Sequence, residues 1–307
     1  MKYMDDFIKY RAFIEAARSG SITAAALLLD YTQPGISHMI HNLEKEFGFP
    51  LLYRGKQGVV LTESGERIFK ICSELLEKEN ELNAAVGLIN GTISGTLQIG
   101  SYLSVLTQWG PNTIESIGKT HPQLHLQFFE GNADVQLQLL RSNAIDIGIF
   151  SSSTPEDFHF IPIHNDPIVV ILPHGHPFCQ KKTLSADDLC HSNMLIQSEG
   201  STRALTRILG EQYASVKSSI ITKNDQAQLR LVESGIGIGI VGKMIVSDSN
   251  SVCIRNLDKT YARTIGLAIP CWRPITPALR EFIRWICNTY QDETFHSQGQ
   301  LFLEKYS

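Results

Sequence analysis

From residue 5 onward apolar side chains recur three and four positions apart, the period of a helix with one buried face. Phe7, Tyr10, Phe13, Ile14 and Ala17 share such a face over residues 5–18, and Ser19-Gly20 breaks the run. A second, short helix follows Ser21 and is expected to bury Ala25, Leu28 and Leu29, with Asp30-Tyr31 as the turn. A third follows Thr32, buries Ile36, Ile40 and Leu43, and runs to about Phe47, where Gly48 and Pro50 stop it. Ser21 and Thr32 each offer a capping hydroxyl to the helix that follows. Pro34 falls within a first turn, where its missing N–H costs nothing.

Gln33, Ser37, His38 and His41 fall on the polar side of the third helix. Residues 51–61 read as two strand halves around a Gly-rich loop, with Arg54 and Lys56 placed to meet phosphate. The pattern is a winged helix-turn-helix, one face packed and the other free to enter a major groove. Its candidate DNA contacts are Ser21, Thr23, Thr32, Gln33, Pro34, Ser37, His38, His41, Arg54 and Lys56.

Thr62 then caps a long helix from Glu63 to about Gly91. Ile68, Cys72, Leu75, Leu82, Val86 and Ile89 alternate four and three apart along it, and Glu79 fills the remaining position of the stripe. Such a seam between charged neighbours predicts a coiled coil with a second copy of the chain, Glu79 weakening the pair while fixing its register.

Residues 91–95 are a hinge by composition, and beyond them strands alternate with helices, the mark of an α/β domain with mainly parallel strands. Strands are expected at 96–101, 125–130, 145–150, 168–172, 194–197, 218–222, 238–241 and 263–268, and helices at 106–119, 132–143, 201–213, 224–234 and 276–290. The polar tail from Gln291 offers Phe295, Leu301, Phe302 and Leu303 as docking residues and no readable role.

At 307 residues the chain has room for about two domains, and 43% apolar residues is enough for a real core. No run reaches the ~18 apolar residues of a membrane span. The first six residues carry Asp5 and Asp6 where a signal peptide would be apolar, so a cytoplasmic protein is expected. The net charge of −4 gives no bulk argument for nucleic acid: residues 1–93 hold ten Lys/Arg against twelve Asp/Glu, and the rest seventeen against nineteen. DNA binding must therefore come from local placement.

Six scattered cysteines with no C-x-x-C pair read as reduced thiols, and nothing in their spacing singles out a redox couple such as Cys179 with Cys190. No catalytic set or cofactor motif emerges. His174-Gly175-His176 lacks a third metal ligand. Gly235-Ile236-Gly237-Ile238-Gly239 leads into a strand, the reverse of a dinucleotide loop. No catalytic residue, metal site or cofactor is expected, and the protein is read as a non-enzyme.

In open α/β sheets, ligands sit off the carboxyl ends of strands, beside helix N-termini with free N–H groups. Those positions are Ser101-Tyr102, Gly131-Asn132, Phe150-Ser151 and the stretch from Gln197 to Ser201 and Thr202, with Arg203 as a candidate charge. Hydroxyls and amide N–H groups at several helix starts favour a small anion such as a carboxylate, although Ser101, Ser201 and Thr202 serve equally as helix caps.

The first 66 residues closely resemble the LysR-type transcriptional regulators, in the runs Gly20-Ser21-Ile22-Thr23-Ala24-Ala25, Gln33-Pro34-Gly35-Ile36-Ser37, Leu43-Glu44, Gly48, Leu51-Leu52-Tyr53-Arg54 and Leu61-Thr62-Glu63-Ser64-Gly65. A looser match continues through Gly95-Thr96-Leu97-Gln98-Ile99-Gly100, His121-Pro122, Glu130-Gly131, Asp146-Ile147-Gly148-Ile149, His176-Pro177 and Gly235-Ile236-Gly237-Ile238, to about residue 290. The resemblance implies an all-α winged helix-turn-helix (5–62), a linker helix that pairs two subunits (63–92), and an α/β two-lobed effector domain like type 2 periplasmic-binding proteins (95–307). Its lobes would be 95–165 with 267–307, and 166–266, joined by two crossing strands. It also implies promoter DNA as partner, a homodimer assembling into a dimer-of-dimers homotetramer, control by a small metabolite, and RNA polymerase as a further candidate partner. One departure stands out. Where basic or amide side chains are frequent in that family, this chain has His38, Met39, His41 and Asn42, and the fewer permanent charges predict fewer released counterions and a shallower salt dependence of binding.

Overall fold

The computed structural model describes residues 4–55, 58–89, 92–151, 154–197, 200–216, 218–222, 224–247 and 249–306. Helices α1 (Met4–Ser19), α2 (Ile22–Leu28) and α3 (Gln33–Phe47) enclose Phe13, Ile14, Ile36, Ile40 and Leu43, all fully buried. Each such side chain contributes about 2 kcal/mol of burial. Ser21 caps α2 by accepting from Ala24 N–H, Thr32 caps α3 by accepting from Gly35 N–H, and Gly48 ends α3 at φ 81.

One expectation fails in α2. Leu28 is half exposed and Leu29 only partly covered, while Ala25 and Ala26 are buried. The seven-residue helix meets α1 and α3 along its alanine face, because only small side chains let the three helices approach this closely.

Strands β1 (Leu52–Gly55) and β2 (Gly58–Leu61) pair antiparallel to form the wing. Val59 N–H donates to the Gly20 carbonyl at 2.9 Å, and a Cβ on Gly58 would collide with that same oxygen. The wing is thus seated on the turn after α1.

Thr62 caps α4 (Glu63–Ile89) by accepting from Gly65 N–H at 2.8 Å. The stripe along α4 divides differently from the sequence expectation. Ile68 and Cys72 pack into the head's own core, and Glu79 turns back to Arg11 of α1 at 2.8 Å. Among the described residues, the large apolar side chains left exposed along it are Ile71, Leu75, Leu82, Val86 and Ile89. Helix α1 covers one side of α4 near the head, so the first two seam positions turn inward, while Leu75, Leu82, Val86 and Ile89 of the predicted seam stay free and Ile71 joins them.

The C-terminal domain is two copies of one plan. The first lobe runs β3 (Gly95–Ser101), α5 (Leu103–Thr120), β4 (Leu124–Glu130), α6 (Ala133–Arg141) and β5 (Ile147–Ser151). The long β6 (Phe158–Leu172) crosses to the second lobe. That lobe continues with β7 (Thr183–Leu184), α7 (Ala186–Cys190), β8 (Met194–Gln197), α8 (Gly200–Leu209), β9 (Ser218–Thr222), α9 (Asp225–Glu233), β10 (Ile238–Gly242) and β11 (Cys253–Leu257). The return strand β12 (Ala262–Pro270) leads to α10 (Pro277–Tyr290) and α11 (His296–Lys305).

The strand order β4-β3-β5-β12-β6-β10-β8-β9 is symmetric about the β12–β6 pair. Strands within each lobe are parallel, whereas β6 and β12 run antiparallel to each other and to their flanking strands. The apolar pattern predicts β6 only from residue 168 and predicts neither β7 nor β11. Pro162 and Pro167 interrupt the apolar run of β6, but its pairing with β12 carries the strand through them. The tail is a helix: Phe302 and Leu303 of α11 pack on the first lobe, while Leu301 stays exposed.

Candidate DNA-reading surface and effector cleft

On α3 the side chains sort by face. Ile36, Ile40 and Leu43 are fully buried, whereas Gln33, Pro34, His38 and His41 are exposed. Ser37 lies at the edge between these faces and accepts a hydrogen bond from Arg54 Nη1 of the wing at 2.9 Å. Glu44 Oε1 accepts from Leu51 N–H at 2.8 Å and Leu52 N–H at 3.1 Å, and its other oxygen lies 3.6 Å from Arg54. One carboxylate therefore fixes the wing against α3 and aims the Arg54 guanidinium along the same surface. Ser21 and Thr32 occupy cap positions, and Thr23 is exposed at the start of α2. Lys56 lies outside the described residues.

The cleft between the lobes forms where strand ends face one another. Tyr102 occupies the cap position of α5 with no side-chain cap on the N–H groups of Leu103 and Ser104, and its hydroxyl lies 3.4 Å from Ser151 Oγ at the end of β5. Ser101 is buried and donates to the Tyr102 carbonyl at 3.0 Å. Asn132 caps α6 by accepting from Val135 N–H at 2.9 Å. At the crossing, fully buried Asp166 of β6 pairs with Arg263 of β12 at 2.8 Å and accepts from Met244 N–H at 3.0 Å. Arg263 also donates to Ser104 Oγ at 3.2 Å and lies 5.8 Å from the centre of the Tyr102 ring. Opposite sits Asp225, first residue of α9; burial pushes its carboxyl up, with Arg263 opposing that shift and Glu130 of β4 adding to it.

Around Arg263 the structure thus brings together Tyr102 and Ser104 of the first lobe and Asp166 of the crossing strand, with Asp225 of the second lobe and Glu130 within electrostatic reach. Of these only Tyr102 was expected. Phe150 does not line the cleft: its ring is buried beneath α6 among Leu140, Ile145 and Phe158, because β5 turns that side chain to the helix side of the sheet. The side chains of Gln197, Ser201 and Arg203 lie outside the described residues, and Thr202 is half-buried in the first turn of α8. A signal for Asp225 was present in the chain: Asn132 and Asn224 each precede a helix with glutamine four residues on and leucine next, marking α6 and α9 as repeats.

The histidine pair is structural. His176 Nδ1 accepts from Phe178 N–H at 3.2 Å, and His174 Nε2 contacts the Asn250 carbonyl at 2.9 Å. Among the described residues no group of three or more His, Cys, Asp or Glu could hold a metal ion, and no helix is long and apolar enough to cross a membrane.

The head touches the first lobe through Arg18. Its Nη1 meets Glu15 at 3.0 Å, and its Nη2 donates to the Asn143 carbonyl at 3.0 Å and the Ser142 carbonyl at 3.4 Å, the end of α6. Nearby, Asp146 pairs with Arg273 at 2.6 Å and accepts from Gln98 N–H at 2.6 Å; burial pushes the Asp146 carboxyl up against both. Helix α6 therefore spans from the cleft at Asn132 to the head at Ser142 and Asn143.

Two family models match the chain: "LysR substrate binding domain" over residues 90–290 and "Bacterial regulatory helix-turn-helix protein, lysR family" over residues 8–66. The HTH-type transcriptional regulator YvbU of Bacillus subtilis is 26% identical over 277 residues, covering 89% of this chain and 94% of that one. The HTH-type transcriptional regulator CfxR of Cupriavidus necator is 28% identical over 232 residues, covering 75% and 73%. In fold, the chain is similar to the crystal structure of CbnR, a LysR family transcriptional regulator, with a TM-score of 0.65 at 17% identity over 93% of this chain and 99% of that one. It is similar also to full-length CbnR complexed with its target DNA, with a TM-score of 0.63 at 18% identity over 92% and 99%.

Proposed function

The chain belongs to the LysR family of transcriptional regulators, and from that premise we propose that it reads a specific promoter sequence and changes its hold on that DNA when a small carboxylate enters the interlobe cleft. The observation that carries the first half is the sorting of α3, with a sealed apolar face behind an exposed edge of Gln33, Pro34, His38 and His41. A helix anchored this way can enter a major groove without unpacking its own core. Gln33, Pro34, Ser37, His38 and His41 meet base edges, while Ser21, Thr23, Thr32, Arg54 and Lys56 meet phosphate.

Two copies pair through the exposed stripe Ile71, Leu75, Leu82, Val86 and Ile89, an apolar surface of the kind a second helix covers. Two such pairs make a tetramer, and RNA polymerase is a further partner at the promoter. The protein works without a cofactor, in the cytoplasm.

Support for a carboxylate comes from the N–H groups of Leu103 and Ser104 at the start of α5, which carry no side-chain cap, and the guanidinium of Arg263 beside Tyr102 and Ser104. Ligand binding draws the lobes together, moves α6, and through Ser142 and Asn143 shifts Arg18 and the head. The effector does this to the extent that it prefers the closed state.

Mobility-shift and footprinting assays on the DNA upstream of the protein's own gene test the reading. The natural chain is expected to protect a specific site. Gln33→Ala should lose that protection while remaining dimeric by sedimentation; retained protection would overturn the groove assignment. A thermal-shift panel of small carboxylates and small amines tests the effector. Stabilisation by amines alone would overturn the carboxylate.

A further inference from the structure

We propose that Cys179 and Cys253 form a two-thiol site that small disulfides convert into an intramolecular disulfide in the second lobe. Seventy-four positions separate them, so no sequence spacing hints at the pair. The fold brings them together in three steps. Cys253 opens β11 directly opposite Leu172, the last residue of β6. Beyond Leu172 the chain passes Pro173 and folds through the tight turn Pro177–Gln180, which returns Cys179 to the strand end, its Sγ 3.6 Å from the Pro173 carbonyl. There the two thiols lie near enough to interact, both half-buried against the cluster that holds Val170 and Leu172.

The returning turn is held to the cysteine-bearing strand. Arg255 of β11 donates from Nε to the Lys181 carbonyl at 2.8 Å and from Nη2 to the Cys179 carbonyl. This clamps the backbone on both sides of Gln180 two residues from Cys253. The remaining cysteines are placed differently. Cys72 and Cys287 are sealed in the cores of the head and first lobe, their thiols pushed up by burial to about 11 and about 12. Cys190 faces Gln212, and Cys271 is exposed at the end of β12.

The chemistry assigns the two sulfurs different parts. Burial, the largest cause of its raised pKa, keeps the Cys253 thiol protonated near neutral pH, so the first attack is assigned to Cys179. Its thiolate attacks one sulfur of the small disulfide; that S–S bond breaks, and the leaving thiolate takes a proton from water. Cys253 then gives its proton to solvent and attacks Cys179 Sγ in the mixed disulfide, expelling the second small thiolate. Two protein thiols are oxidised and one small disulfide is reduced to two thiols. The burial that pushes the Cys253 thiol up persists once Cys179 is in the mixed disulfide, so this second step is slow near neutral pH and quickens as pH rises.

The experiment uses the full chain with Cys190→Ser and Cys271→Ser, incubated with oxidised glutathione at pH 7 and at pH 9, quenched by alkylation and mapped by peptide mass spectrometry. The expected sequence is a glutathione adduct on Cys179, then a cross-link between the peptides bearing Cys179 and Cys253, with the conversion at least about tenfold faster at pH 9. Cys253→Ser should trap the adduct on Cys179, and Cys179→Ser should leave Cys253 unmodified. Stable adducts on both cysteines without a cross-link would overturn the proposal, as would a cross-link that forms equally well in urea. The natural-sequence chain mapped the same way gives the same cross-link, so the result does not depend on the serine background folding.

Discussion

Helix α6 in the first lobe and α9 in the second begin on asparagine caps, Asn132 and Asn224. Each buries a glutamine at its fourth position, Gln136 and Gln228, against a glycine of the neighbouring strand, Gly148 and Gly239. Each is followed by a left-handed residue, Asn143 at φ 56 and Gly235 at φ 78. Asparagine and glycine are the residues that adopt that conformation at little cost. The helices differ at their ends. Where α6 opens on Ala133, α9 opens on Asp225, whose carboxyl burial pushes up beside Arg263. Where the end of α6 holds Arg18 of the head, Glu233 at the end of α9 is held by Arg230 and Ser251 of its own lobe. One scaffold serves twice; its first residue sets the charge of the cleft, and its last turn decides which lobe the head touches.

The largest test strikes what the lobes share. Asp166→Ala removes the partner of Arg263 and the acceptor of Met244 N–H at the crossing strands, and should cost about 3 kcal/mol in urea unfolding. A loss below about 1 kcal/mol would mean the crossing is held by strand pairing alone. Next, Gln136→Ala and Gln228→Ala each free a buried strand carbonyl, Ile149 and Leu195, and should each cost about 2 kcal/mol. A difference between them beyond about 1 kcal/mol would break the equivalence of the lobes.

Arg18→Ala should act on one lobe only. Amide exchange at residues 142–146 is expected to quicken about fivefold, equivalent to about 1 kcal/mol, while residues 234–238 stay unchanged. Equal change in both would show that α6 has no special tie to the head.

The smallest effect is a pH dependence in the docking of α11 on the first lobe. His159 pairs with the Tyr306 hydroxyl at 2.8 Å, and burial, with Lys305 nearby, lowers its pKa from the ordinary 6.5. Between those two values an undocked His159 binds a proton that the docked one does not, so docking of α11 is fully favoured above about 6.5 and weakens as pH falls through the lowered pKa. Amide exchange in α11 should rise over that interval, and His159→Gln should flatten the response.

Much of the head was legible because its signals are local. Caps at Ser21 and Thr32, the stop at Gly48 and the three-and-four spacing of Ile36, Ile40 and Leu43 each act within one turn of helix. The effector cleft was legible only in part. Tyr102 sits where a strand end must open, but Arg263 and Asp225 reach the cleft from strands and helices 120 or more positions along the chain. Phe150 was misplaced because a strand's apolar run does not say which neighbour covers which face.

By itself, then, the sequence determined the order of elements, the winged head, the long helix and the α/β plan, since propensity, capping and periodicity are short-range. Only the tertiary structure decided the rest: which side of α4 stays free once Glu79 turns to Arg11, how far β6 runs through two prolines, and which distant side chains meet. Asp166 with Arg263, Arg18 with Asn143 and Cys179 with Cys253 lie 97, 125 and 74 positions apart. At such separations chain connectivity imposes almost no preference among partners, and it is the packing of whole elements that selects them.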